Sequence, residues 1–160
     1  MPVPKNAGTY ALILQLIAGR LIQVGKLGAF HFPAGHYIYI GSAFGPGGLA
    51  GRIGRHIAPV KSDSRLHWHV DYLRRWAPVT EIWCAEHAEP REHDWAEIAG
   101  RLPGSTLPAP RFGASDCRCR SHLFHLEGPP SVKRFQASLN PIFPADRPLH
   151  AIRMSEKTDR

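Results

Sequence analysis

Acidic residues are scarce in this chain: 13 Asp and Glu stand against 20 Lys and Arg among 160 residues, a formal net charge of +7 with the 10 His neutral. A surplus of that size suits a polyanionic partner, nucleic acid first, although the same surplus also serves plain solubility. Long apolar runs are lacking. No stretch approaches the roughly 18 residues that a membrane-spanning helix needs, so no membrane association is expected. The opening MPVPKNAGTY holds no signal-peptide-like apolar stretch, and a cytoplasmic location is expected. Cysteine is sparse too. Cys84, Cys117 and Cys119 cannot all pair, and Cys117 and Cys119 are too close for a comfortable disulfide, which points to a reducing compartment. No internal repeat is present.

What the chain does have is ordinary globular material. A hydrophobic share of 43% can bury a real core, and the length suits one domain. The 15 Gly and 15 Pro predict turn-rich connections. Tyr10–Leu16 (YALILQL) reads as a buried central strand. Leu21–Val24, His31–Phe32 and Tyr37–Ile40 read as further strands, so the first forty residues look like an antiparallel meander. After Gly45-Pro46-Gly47-Gly48, the residues Leu49, Ile53 and Ile57 recur at helical spacing, ending before Pro59. Arg52, Arg55 and His56 project together from that helix. Glu81–Ala85 reads as a strand, and Pro90 opens a helix whose apolar stripe is Trp95, Ile98, Ala99 and Leu102. Leu123–Leu126 is a short strand. From Gly128 the Pro-rich sequence loses periodicity, apart from a helical turn or two near Ser131–Leu139. The expected fold is α/β: a small, mainly antiparallel sheet flanked by helices, over residues 1–127. An irregular C-terminal extension follows over 128–160.

Three pieces carry chemistry together: Gly8-Thr9-Tyr10 opening one strand, Tyr39-Ile40-Gly41 closing another, and Arg52-x-x-x-His56 on the next helix. Two phenols sit at strand ends, Gly41 lets a phosphate approach the backbone, and the helix offers a guanidinium beside an imidazole. A phosphodiester resists attack mainly through its negative charge. Its hydrolysis needs a base for water, a cation for developing charge and help for the leaving oxygen. As plain structure, the tyrosines would be strand aromatics and Arg52 and Arg55 a solvated helix face.

With these residues in view, the chain resembles the GIY-YIG nuclease superfamily. It is most similar to the bacterial and archaeal branch found alone or fused to endonuclease III-type repair glycosylases. The resemblance runs from about Gly8 to Leu126 through GTYAL, HYIYIGSAFGPGGLAGRIGRH, HWHVDYL and FGASDCRCRSHLF. It implies metal-dependent phosphodiester hydrolysis of DNA or structured nucleic acid, with a link to DNA repair. Tyr10 would act as base, or activate water with the metal's help, Tyr39 would orient the phosphate, and Arg52 and His56 would steady the transition state. A glutamate on a later helix would hold Mg²⁺ or Mn²⁺. Glu92, about 60° from the apolar stripe at roughly 100° per residue, can face a cleft, whereas Glu97 faces solvent. Glu92 is therefore preferred. Thr9 replaces the usual isoleucine, and the long interval from Tyr10 to Tyr39 implies an extra strand or two. Gly41, Arg55, Lys61 and Arg65, with Arg74 and Arg75 nearby, are the expected nucleic-acid contacts. The alternative is a catalytically silent nucleic-acid-binding module.

A second constellation is metal-like. Cys117-x-Cys119-x-x-His122 offers two thiols and an imidazole, and His67-x-His69-x-Asp71 offers candidates for a fourth ligand. Zinc takes such sets, although its usual cysteine spacing is wider. Because the single-residue spacing constrains a chelate, a packing role for the cysteines is preferred to a bound zinc, and a zinc-stabilised interaction domain stands as the alternative.

Overall fold

In a computed structural model of the chain, which describes residues 3–60, 66, 68–115 and 117–154, the first apolar run forms strand β1 (Gly8–Leu16). The run is apolar on both faces because the sheet is covered on both sides. Successive side chains of a strand point to opposite faces. Tyr10, Leu12, Leu14 and Leu16 therefore enter one core, and Ala11 and Ile13 enter the other. Thr9 is buried at the start of β1, with its hydroxyl 2.7 Å from the His87 ring.

Strands β2 (Arg20–Val24) and β3 (Gly28–Phe32) are joined by a 3-10 turn at Gly25–Leu27 and form a separate two-stranded sheet. Strand β4 (Gly35–Ala43) then returns beside β1, in register from Gly8↔Ala43 to Leu16↔Gly35. The first forty residues are thus not a simple meander. β1 and β4 are partners, and β2–β3 is an insert whose Ile22, Val24 and Phe32 close the first core.

Helix α1 (Gly48–Ile57) follows the Gly-Pro-Gly-Gly stop. Gly48 has φ +57°, and a Cβ there would stand 2.2 Å from the Lys5 carbonyl, so only glycine fits. Leu49 and Ile53 are buried, as their spacing predicts. Ile57 is instead 44% exposed, because the helix ends there and His56 takes the inward place. Helix α2 (His69–Arg74) packs on the same face.

Strand β5 (Val79–Glu86) pairs with the free side of β1, and α3 (Glu92–Arg101) lays Trp95, Ala96, Ile98 and Ala99 on the second face. Strand β6 (Leu123–Leu126) adds to β4. The extension beyond residue 127 is more regular than its composition suggests. It carries α4 (Val132–Leu139) and β7 (His150–Arg153), which pairs with β5. Phe135 of α4 is fully buried, its ring 5.4 Å from Trp83 and 5.5 Å from Trp95. The fold is α/β, with a five-stranded antiparallel sheet in the order β6-β4-β1-β5-β7 flanked by four helices. Among the described residues no helix is long and apolar enough to cross a membrane.

Candidate functional site

Three elements converge on the Tyr10 hydroxyl. β1 carries Tyr10, β4 carries Tyr39 and Gly41, and α1 carries Arg52 and His56. The Tyr10 oxygen lies 2.8 Å from His56 Nε2. The Arg52 guanidinium is near the same oxygen and acts to lower the phenol's pKa. Burial outweighs it: desolvation first, then Tyr39 and Glu92, hold the Tyr10 pKa well above its ordinary value. Tyr39 is raised in the same way, by burial and then by Glu92, with Arg52 opposing.

Burial pushes the His56 pKa down to about 4; Asp71 opposes this, while Arg74, Arg52 and Arg55 add to it. The imidazole is therefore neutral near pH 7 and able to accept a proton. In the tautomer with its proton on Nδ1, His56 takes the phenol's hydrogen bond at Nε2. Tyr39 lies edge-on to His56, with ring centroids 6.2 Å apart, and edge-on to Phe112 at 6.1 Å.

Gly41, read from the sequence as admitting a phosphate, serves a different neighbour. It pairs directly with Tyr10 across the β1–β4 ladder, and a Cβ on it would stand 2.4 Å from both Cζ and the oxygen of Tyr10. Its open side is filled by the Tyr10 ring. Arg52 and Arg55 lie 5.1 Å and 5.9 Å from the centre of the Trp68 ring, which in turn lies 5.2 Å from the His56 ring. Arg55 is exposed and available to a ligand. Arg74 is committed elsewhere: its guanidinium donates to the carbonyls of His56 and Ala58 and pairs with Asp71 at 3.4 Å. It caps the end of α1, where a cation complements the helix dipole. Arg75 is exposed. Lys61, Arg65 and His67 lie outside the described residues.

Glu92 opens α3 and reaches toward this cluster. Its Oε2 accepts from the Ser42 hydroxyl at 2.9 Å, and its Oε1 lies 2.9 Å from His122 Nδ1. Burial opposes ionisation, but the hydrogen bonds from His122 and Ser42 prevail and hold the carboxyl below its usual range. It is an anion at neutral pH, close enough to act on the pKa of both tyrosines. Glu97 faces outward, in an ion pair with Arg101 at 2.6 Å.

One residue beyond Glu92, a set of soft donors gathers. His93 Nδ1 lies 3.0 Å from Cys119 Sγ, and Cys117 Sγ lies 3.4 Å from His122 Nε2. One donor atom from each of the four falls within 4.8 Å of every other. Two of the sequence-based candidates for the fourth position, His69 and Asp71, are occupied elsewhere, and the third, His67, lies outside the described residues. His69 Nδ1 accepts from the Gly113 backbone N–H at 2.8 Å, and Asp71 accepts from the Trp68 N–H at 3.1 Å while pairing with Arg74.

The structure thus brings together Tyr10, Tyr39, Arg52, His56 and Glu92, and separately Cys117, Cys119 and His122. Sequence reasoning overlooked Ser42, Trp68 and His93. For His93 the only local signal is its place beside Glu92, since its partners lie more than twenty residues further on.

Comparison with curated proteins and with solved structures yields no match. The model of one protein family, described as Domain of unknown function DUF123, matches residues 9–142. Spanning most of the chain, from Thr9 of β1 past α4, that match makes the protein a member of the DUF123 family.

Proposed function

We propose that the chain is a metal-dependent endonuclease of GIY-YIG type, hydrolysing phosphodiesters in DNA or structured nucleic acid. The observation that carries this reading is the buried Tyr10 oxygen, 2.8 Å from the neutral His56 imidazole and within reach of the Arg52 charge. A phenol so held can pass its proton to His56 Nε2 while taking one from water. The water oxygen then attacks phosphorus and the P–O bond to the leaving group breaks. His56 ends as imidazolium, near the charge that has developed. Arg52 faces the same charge, as a fixed cation in a partly desolvated site should. Tyr39 orients the phosphate from the neighbouring strand.

Glu92 suits a hard divalent cation. It is ionised, and each of its oxygens is engaged by one donor, which leaves lone pairs free. Mg²⁺ or Mn²⁺ is commonly held by one or two carboxylates together with substrate phosphates and water, and Glu92 would supply the carboxylate. When bound, the cation neutralises charge on the reacting phosphate. Three unpaired cysteines support a cytoplasmic setting. The resemblance to proteins fused to repair glycosylases supports a role in DNA repair.

One observation favours a second reading. Tyr10 and His56 are each only 1% exposed, so a silent nucleic-acid-binding module on the same scaffold would also account for them. A cleavage assay on duplex, branched, damaged and single-stranded DNA with Mg²⁺ or Mn²⁺ separates the two. The enzyme cuts at least one substrate, and Arg52→Ala loses that cutting. A module binds all of them and cuts none.

A further inference from the structure

We propose that His93, Cys117, Cys119 and His122 hold one zinc ion in a closed structural site that braces Glu92 from behind. The four donors come from two distant pieces of chain: the first turn of α3, and the loop that enters β6. Tetrahedral zinc, with Zn–S near 2.3 Å and Zn–N near 2.0–2.1 Å, sets its donors about 3.3–3.8 Å apart. The two thiol–imidazole contacts, at 3.0 Å and 3.4 Å, lie at or slightly inside that range, and all four donor atoms already fall within 4.8 Å of one another.

The surroundings of His122 suit a ligand. Its Nδ1 lies 2.9 Å from Glu92 Oε1 and its Nε2 lies 3.4 Å from Cys117 Sγ, so a proton on the carboxylate side leaves the Nε2 lone pair for a metal. A carboxylate behind a metal-bound histidine is the usual means of fixing ring orientation and raising ligand basicity. The Cys-x-Cys turn is also held from outside the cluster. Arg111 donates to the Cys119 carbonyl at 2.7 Å and to the Cys117 carbonyl at 2.5 Å. It does so from a left-handed backbone (φ 66°), unusual for a residue with a side chain. Such a grip fixes the two cysteines, which the narrow one-residue spacing would otherwise leave hard to aim at one point.

Two thiolates and two imidazoles match the softness and tetrahedral preference of Zn²⁺, and two thiolates balance its charge. Four protein ligands leave no open position, so the ion is structural. It ties α3 to the loop before β6 and, through His122, sets the Glu92 carboxylate. The zinc site stands whether or not the chain cleaves nucleic acid.

The test is metal content and spectroscopy rather than activity. Full-length protein, reconstituted with Zn²⁺ and passed over a chelating resin, is expected to keep one zinc per chain. Replacement by Co²⁺ is expected to give tetrahedral ligand-field bands and thiolate-to-cobalt charge transfer. His93→Gln is expected to weaken zinc retention by about tenfold or more, and Glu92→Gln by about 10–100-fold, the usual effect of losing a carboxylate behind a ligand. His69→Gln, outside the cluster, is expected to retain zinc like wild type. The wild-type cobalt spectrum keeps the test decisive even if a cysteine variant fails to fold. Wild-type protein that neither retains zinc nor gives the tetrahedral spectrum overturns the proposal. Equal loss from His69→Gln and His93→Gln does so too.

Discussion

The Tyr10 phenol has almost no freedom of its own. It is 1% exposed, bonded to His56 and backed by the bare face of Gly41. Gly41→Ala would put a methyl 2.4 Å from the phenol carbon and oxygen, so the ring must move in a closely packed interior. Overpacking of this kind costs about 1–3 kcal/mol. The loss of cleavage is expected to exceed what that destabilisation explains, because the Tyr10–His56 bond breaks with the ring's shift. Urea denaturation and cleavage rates measured on the same preparation check this, and wild-type values for both would contradict it. At this scale much of the candidate site was legible. Tyr10, Tyr39, Arg52, His56 and Glu92 sit in short ordered blocks or at a definable angle on a helix. Ser42 and His93 were not legible, because their roles depend on how the start of α3 meets the end of β4 and the loop before β6.

Elements were readable where periodicity was strong and both ends were marked. α1 has a Gly-Pro-Gly-Gly start, an apolar repeat and a proline beyond its end, and it forms where those signals put it. Pairing was harder to read. Nothing local tells β2 to leave the main sheet and pair with β3 alone, since both orders satisfy the same alternation. The extension was the least legible part. β7 is a mostly exposed four-residue edge strand, and α4 has only eight residues; both are stabilised by what they meet rather than by their own sequence. Phe135→Ala is accordingly expected to cost about 3–5 kcal/mol, as for any large aromatic removed from a core. A peripheral segment would lose less than about 0.5 kcal/mol. Thermal or chemical unfolding distinguishes the two.

For the molecule as a whole, the surplus of positive charge, with Arg52 and Arg55 flanking Trp68, suits a nucleic-acid backbone approaching the α1 side of the sheet. Binding is expected to weaken with salt, by about 0.9 log units per log unit of salt for each phosphate neutralised. A flat response in a salt titration would remove nucleic acid as the partner. The central claim is that this surface cuts what it binds, and that Tyr10 is the group through which it does so. The most direct measurement compares wild type with Tyr10→Phe on the same panel of DNA structures, in Mg²⁺ or Mn²⁺, with binding recorded alongside cleavage. The expected result is metal-dependent cleavage by wild type, and unchanged binding with cleavage slower by about 10²–10⁴-fold in the variant. Wild-type protein that binds DNA but cuts none of it, or a Tyr10→Phe variant that cuts at the wild-type rate, would contradict the claim.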